Sequence, residues 1–258
     1  MTTYKHARSA AFLALWCLPL LPASAYAEAP DMKNCLQLTV KDHTNIILSI
    51  QKNVEPITAL VRKQNVDVLA RSPQTSKSLL VAISKSQILD DTTNQKLDLA
   101  ASCLSLTPAS SIPAKSRAAI LEAARELDNA DSVPNAIERL GNLQTKYADF
   151  NDVREGLMVA TTVLRDGQQT IYSEHAFQTL AARSAEQPLA KAKSASEHAL
   201  DLAVADGKGA VNGGVGGCIA GLLAGGVGCV SGAIAGGVAA AIGNSAQELI
   251  EKVWEHAK

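Results

Sequence analysis

Fourteen of the chain's 17 glycines lie within residues 207–243, and only Gly141, Gly156 and Gly167 lie elsewhere. Glycine costs about 1 kcal/mol per position in a helix, so this density suits a helix only where close packing or lipid offsets the cost. No charged side chain occurs across residues 209–247, a run of 39. Within it Gly213, Gly217, Gly221 and Gly225 are spaced by four, and Gly228, Gly232 and Gly236 repeat the spacing. On a helix each set lines one face, where a second backbone can approach closely. Ile219, Leu222, Leu223, Val227, Val230, Ile234, Val238 and Ile242 supply the apolar remainder.

Cysteine placement constrains this region further. Cys218 and Cys229 would stand about 16 Å apart in one continuous helix, whereas a disulfide needs Cα atoms within roughly 7 Å. A bond between them requires the chain to reverse, with Gly225-Gly226 as the natural hinge. The expected result is a helical hairpin with arms near 209–224 and 227–243 and the glycine rows face to face. Ser245 and Glu248 then carry a capping-box signature. They open a short amphipathic helix over 244–258 with Leu249, Ile250, Val253 and Trp254 on its apolar side. Trp254 suits a membrane interface and equally a docking anchor on the rest of the protein.

The other end of the chain reads as an export signal. Lys5, His6 and Arg8 precede an apolar run over residues 10–22, and Ala25 and Ala27 flank Tyr26. Cleavage is expected after Ala27. The run is shorter than the ~20 residues that span a bilayer, and Trp16 before Cys17 is too large for a lipid-attachment site. Without residues 1–27 the chain keeps 22 basic and 25 acidic side chains, a net charge of -3, and four cysteines. An even number of cysteines in an exported chain reads as disulfides. Of three possible connectivities, position favours Cys35–Cys103 and Cys218–Cys229. The expected compartment is the periplasm or the extracellular space.

Residues 28–206 read as a helical body. Prolines at 30, 56, 73, 108, 113, 134 and 188 punctuate it, and apolar residues recur between them at helical spacing. Helices are predicted over 54–69, 77–86 and 94–104. A stripe of Ile120, Leu121, Ala124 and Leu127 predicts another, and Ile137, Leu140, Leu143, Tyr147 and Phe150 follow an Asp131-Ser132-Val133-Pro134 cap. Val153, Leu157, Ala160 and Leu164 predict one more. The fold class is all-α: a multi-helix bundle carrying a C-terminal glycine-rich hairpin and a short amphipathic helix. Residues 28–146 contain no aromatic residue, so this part must pack closely through Ala, Leu, Ile and Val.

Chemistry-bearing motifs are scarce. Glu-His-Ala occurs at His175, His198 and His256, but His175 and His198 fall ~140° apart on an ideal helix and Pro188 intervenes. There is no H-E-x-x-H, no G-x-S-x-G and no C-x-x-C, and Gly207-Lys208-Gly209 lacks the rest of a phosphate loop. No catalytic, cofactor-binding or metal residues are assigned. An enzyme would need a polar cluster assembled from distant helices, with His175 or His198 as candidates. Near-neutral charge and 3% aromatic content argue against nucleic acid as a partner.

Residues 207–243 resemble the glycine-zipper stretches of small bacterial envelope proteins and the Gly-rich helices of some secreted membrane-active bacteriocins. That resemblance implies a lipid bilayer as partner, and a non-enzymatic role as a membrane-active toxin or an envelope component. The other expectation is a soluble exported module that holds the hairpin in its core and binds a protein partner.

Overall fold

A computed structural model describes residues 32–70, 72–104, 111–185, 193–224 and 228–255. They form eleven helices and, among the described residues, no strand. In chain order these are α1 (Met32–Cys35), α2 (Val40–Lys52), α3 (Val54–Lys63), α4 (Pro73–Ser84), α5 (Asp91–Cys103) and α6 (Ala114–Asp128). They continue with α7 (Val133–Lys146), α8 (Asn151–Gly167), α9 (Glu174–Ala185), α10 (Ala195–Leu223) and α11 (Cys229–Glu255). The protein is an all-α bundle. The expected signal over 1–27, His256 and the Gly225-Gly226 hinge lie outside the described residues.

Helix starts follow from capping chemistry. Thr39 with Asp42, and Ser194 with Glu197, form capping boxes on α2 and α10, each satisfying backbone N–H groups that a helix start leaves open. Ser72 and Ser132 cap α4 and α7 ahead of Pro73 and Pro134, and Asp90 caps α5. The structure therefore places the Ser132-Pro134 start where the sequence predicts it. α3 ends at Lys63 rather than 69, where Asn65 turns into the left-handed region at φ 53°.

The body packs as an aromatic-poor chain must. Ile46, Ile47, Ile50, Ile57, Val61, Leu79, Leu80, Ile83 and Leu97 are all buried, and Cys35–Cys103 joins α1 to the end of α5. On α6 the buried positions are Ser116, Ala119, Ala123 and Leu127, while Leu121 is 60% exposed. The expected stripe is thus rotated, because alanines let α6 come close to α10, where Leu127 lies over Gly207.

Two departures concern the C-terminal third. The arms of the hairpin are 29 and 27 residues long, so α10 passes through the 206/207 boundary without a break. No proline follows Pro188, and Asp206 finds buried partners that let the helix continue. Likewise α11 runs through 243, and Ser245 is buried inside it rather than capping a separate helix. Gly243 is covered by Ser76 of α4, which holds the backbone helical at the expected break.

α10 and α11 form the centre of the molecule, with α8 packed along both and α2, α4 and α5 against α11. Gln247 ties α11 to its surroundings by donating to the Val68 carbonyl at 2.5 Å and accepting from Ser76 Oγ at 3.2 Å. The most glycine-rich segment is therefore core, not appendage.

Candidate functional site

The seam between α10 and α11 is built from main-chain atoms. A methyl group on Gly213 would strike the Gly236 carbonyl oxygen, one on Gly217 that of Gly232, and one on Gly221 that of Gly228. The two rows named in the sequence thus meet in antiparallel register; Gly225 lies outside the described residues. Gly209 continues the row, where a methyl group would sit 2.6 Å from the Ala240 carbonyl oxygen. Side-chain-free contact brings the backbones close enough for dispersion to act along the whole seam.

A third helix joins this contact. A methyl group on Gly214 would lie 2.7 Å from the Gly156 Cα on α8, and one on Gly237 would lie 2.7 Å from Val159 Cγ1. Sequence reading passes over Gly156 because it stands alone in its helix. Its only local signal is its place within a stripe that also contains Val153 and Ala160.

The far end of the hairpin is closed by Cys218–Cys229. Gly228 enters α11 with φ +80°, a backbone conformation glycine adopts freely. Here the apolar surface faces outward: Leu222 is 62% exposed, Leu223 70% and Val230 49%. The start of α8 lies at the same end, with Cys229 Sγ 4.0 Å from the Asn151 carbonyl oxygen, and Phe150 beside it is also exposed. This is the hairpin's tip. One helix among the described residues, Cys229–Trp254, is long and apolar enough to cross a membrane by length and composition, and 67% of its apolar window is buried in the bundle.

Well back from the tip, inside α10, lies a polar and largely enclosed cluster. His43 Nε2 lies 3.2 Å from Asp206 Oδ1, with both side chains 0% exposed, and the Tyr172 hydroxyl donates to Asp206 Oδ2. Thr44, the next residue on α2, donates to Asp166 on α8. Burial, and then the Asp206 charge, hold the Tyr172 hydroxyl protonated well above its ordinary range. These groups resemble acid–base machinery in type, but His43 and Asp206 are closed to solvent, and Asp166 is the exposed member. Nearer the surface, Lys252 bridges Asp201 at 2.6 Å and Glu248 at 3.2 Å.

The remaining candidate residues fall apart in space or into packing roles. His198 is buried and stacked on Phe177 at 6.4 Å, whereas His175 is exposed on α9. Lys208 pairs with Asp128 at 2.5 Å. Trp254 docks on α3: Arg62 lies 4.7 Å over its ring and donates to its carbonyl at 2.9 Å. A groove of about 430 Å³ runs beside the seam, lined by Ser76, Leu104, Ile120, Asn212 and Asn244 among others. Among the described residues no group of three or more His, Cys, Asp or Glu is placed to hold a metal ion. Comparison with protein-family models, with curated proteins and with solved structures finds no match.

Proposed function

We propose that this is an exported, non-enzymatic protein whose glycine hairpin associates with or inserts into membrane, tip first, as a membrane-active toxin or an envelope component. The observation that carries this reading is the exposed apolar tip of Leu222, Leu223 and Val230 on an otherwise core-forming hairpin that carries no charge over residues 209–247. Scattered apolar residues on a surface are ordinary. Three together at the end of a disulfide-closed hairpin form a wedge, and a lipid surface accepts a wedge of that chemistry. The two disulfides suit an oxidising compartment, in line with export.

Charge sets how far such a hairpin enters. Counting from Gly209, the first residue after Lys208, to Leu223 gives 15 uncharged residues, about 22 Å of helix. From Cys229 to Gln247 there are 19, about 28 Å. Both fall just short of the ~30 Å hydrocarbon core, so the wedge would reach most of the way across before Lys208 and Glu248 met the interface.

Dye release from phosphatidylethanolamine/phosphatidylglycerol vesicles tests the reading, using the mature chain and a Leu222→Glu/Leu223→Glu variant. Both sites face solvent, so the substitutions leave the fold intact, within about 0.5 kcal/mol each. Release by the native chain that the variant lacks is the expected result; equal behaviour of the two overturns it. A second reading, a soluble structural or partner-binding module, is favoured by the burial of both arms beneath α2, α4, α5 and α8. It expects neither chain to release dye.

A further inference from the structure

Neither the tip nor the buried cluster uses the groove of about 430 Å³ beside the seam. Its floor positions, Gly209, Gly213, Gly216 and Gly217 of α10 with Gly236 and Ala240 of α11, carry at most a methyl group. The first turn of α4 and the end of α5 wall it on the α11 side, and α6 walls it on the α10 side. The lining residues of α10 run from Ala205 to Gly217, about 18 Å along the helix.

The two ends of the groove differ in chemistry. Asn244 lies across from Ala205 and Gly236 across from Gly213, which orders the lining along the hairpin. Away from the tip stand Asn244, Gln247 and Ser76. Toward the tip, Ile112 and Ile120 face bare glycines. α6 runs in that sense because Ser116 donates to Asp152 at the start of α8, while Leu127 lies over Gly207. At the polar end most donors are already taken. The Asn244 amide donates to the Ala205 carbonyl at 3.3 Å, the Gln247 amide to the carbonyls of Val68 and Ala70, and the Ser76 hydroxyl to Gln247. Acceptors are left in excess, above all the Asn244 amide oxygen. Lys208, on the rim, is neutralised by Asp128 at 2.5 Å, and no carboxylate lines the groove among the described residues.

These features restrict what the groove accepts. A peptide strand would bring N–H and C=O groups that a helical floor, its own backbone bonds made, leaves unpaired. An alkyl chain brings none and buries apolar area against Ile112, Ile120 and the glycines. An ionised acid head only accepts and would face acceptors, and an ammonium head would find no counter-charge. An uncharged hydroxyl can donate to Asn244. The volume lies at the lower end of the roughly 300–1,000 Å³ of ligand sites, room for one chain rather than two. We infer that this groove binds a single-chain lipid with an uncharged, hydroxyl-bearing head, a monoacylglycerol in type. Its chain lies over the glycine floor toward the tip and its head at Asn244. The groove is separate from Leu222, Leu223 and Val230, so this site stands or falls apart from the membrane reading.

Isothermal titration calorimetry of the mature chain with 1-monolauroylglycerol, kept below its aggregation concentration, tests the site. One lipid per chain is expected, with laurate and dodecylamine bound about tenfold more weakly because their heads leave polar groups unpaired. Ala124→Trp, from the half-buried α6 wall, fills the groove without touching the seam and weakens binding about tenfold or more. Asn244→Leu removes the acceptor and costs about fivefold, the worth of one hydrogen bond. Far-UV circular dichroism shows that each variant is folded. Should Ala124→Trp fail to fold, Ile120→Gln, half-buried on the same wall, sets an amide under the chain and costs about tenfold. No binding by the native chain, laurate bound as tightly as the glyceride, or undiminished binding by a folded wall variant overturns the inference.

Discussion

At Gly217 and Gly232 the two arms touch through main-chain atoms, so a side chain there has no rotamer into which it can withdraw. Gly217→Ala gains about 1 kcal/mol of helix propensity but forces apart two backbones, an overpacking cost of up to about 3 kcal/mol or more. A net loss near 2 kcal/mol is expected in urea unfolding. Gly141→Ala is the matched control: nothing lies within 4 Å of the added methyl group, and a gain of about 0.5–1 kcal/mol is expected. Acid acts at other residues. Burial raises the Asp201 carboxyl, but hydrogen bonds from Lys193 and Lys252 reverse this and hold it below the usual range. Hydrogen bonds from Lys146 and Tyr147 lower Glu122. A lowered carboxyl contributes stability above its unfolded value, about 4, and loses it as pH falls through the folded value. The urea midpoint should therefore drop between about pH 5 and pH 3, and Asp201→Asn should flatten that drop.

Among the elements, the disulfides act on different parts of the bundle. Cys35–Cys103 closes a loop of about 69 residues across the body, worth roughly 4 kcal/mol on the chain-entropy account, and Cys218–Cys229 closes about 12, worth roughly 3. Paired serine substitutions measured by urea unfolding should reproduce that order, with Cys35→Ser/Cys103→Ser the more costly. Both pairings, the all-α class and the facing of the glycine rows were legible in the sequence, because cysteine position and four-residue spacing are local signals. Helix lengths near 206 and 243 were not. There the sequence shows small or polar residues that read as breaks, and only tertiary partners, Asp206 with His43 and Gly243 with Ser76, keep the helix going. The same reasoning explains why the buried cluster was missed. His43 and Asp206 are 163 positions apart, and nothing in either neighbourhood names the other, although an acid flanked by Ala205 and Gly207 on a small-residue helix is a hint of burial.

For the whole molecule, the position of the hairpin decides how it must be studied. α10 and α11 provide the surface on which α2, α4, α5 and α8 pack, so a chain ending at 206 loses its core and is not expected to fold. Thermal unfolding of the intact mature chain should accordingly show one cooperative transition in far-UV circular dichroism and in Trp254 fluorescence alike. Function has to be probed by altering the tip and leaving the seam alone. The most direct measurement places a photo-reactive residue at Leu223 and, in a separate chain, at Leu121, an exposed site on α6. Each is illuminated with vesicles and the adducts are identified by mass spectrometry. The account predicts acyl-chain adducts at 223 and none at 121; adducts at neither site, or equally at both, would contradict it.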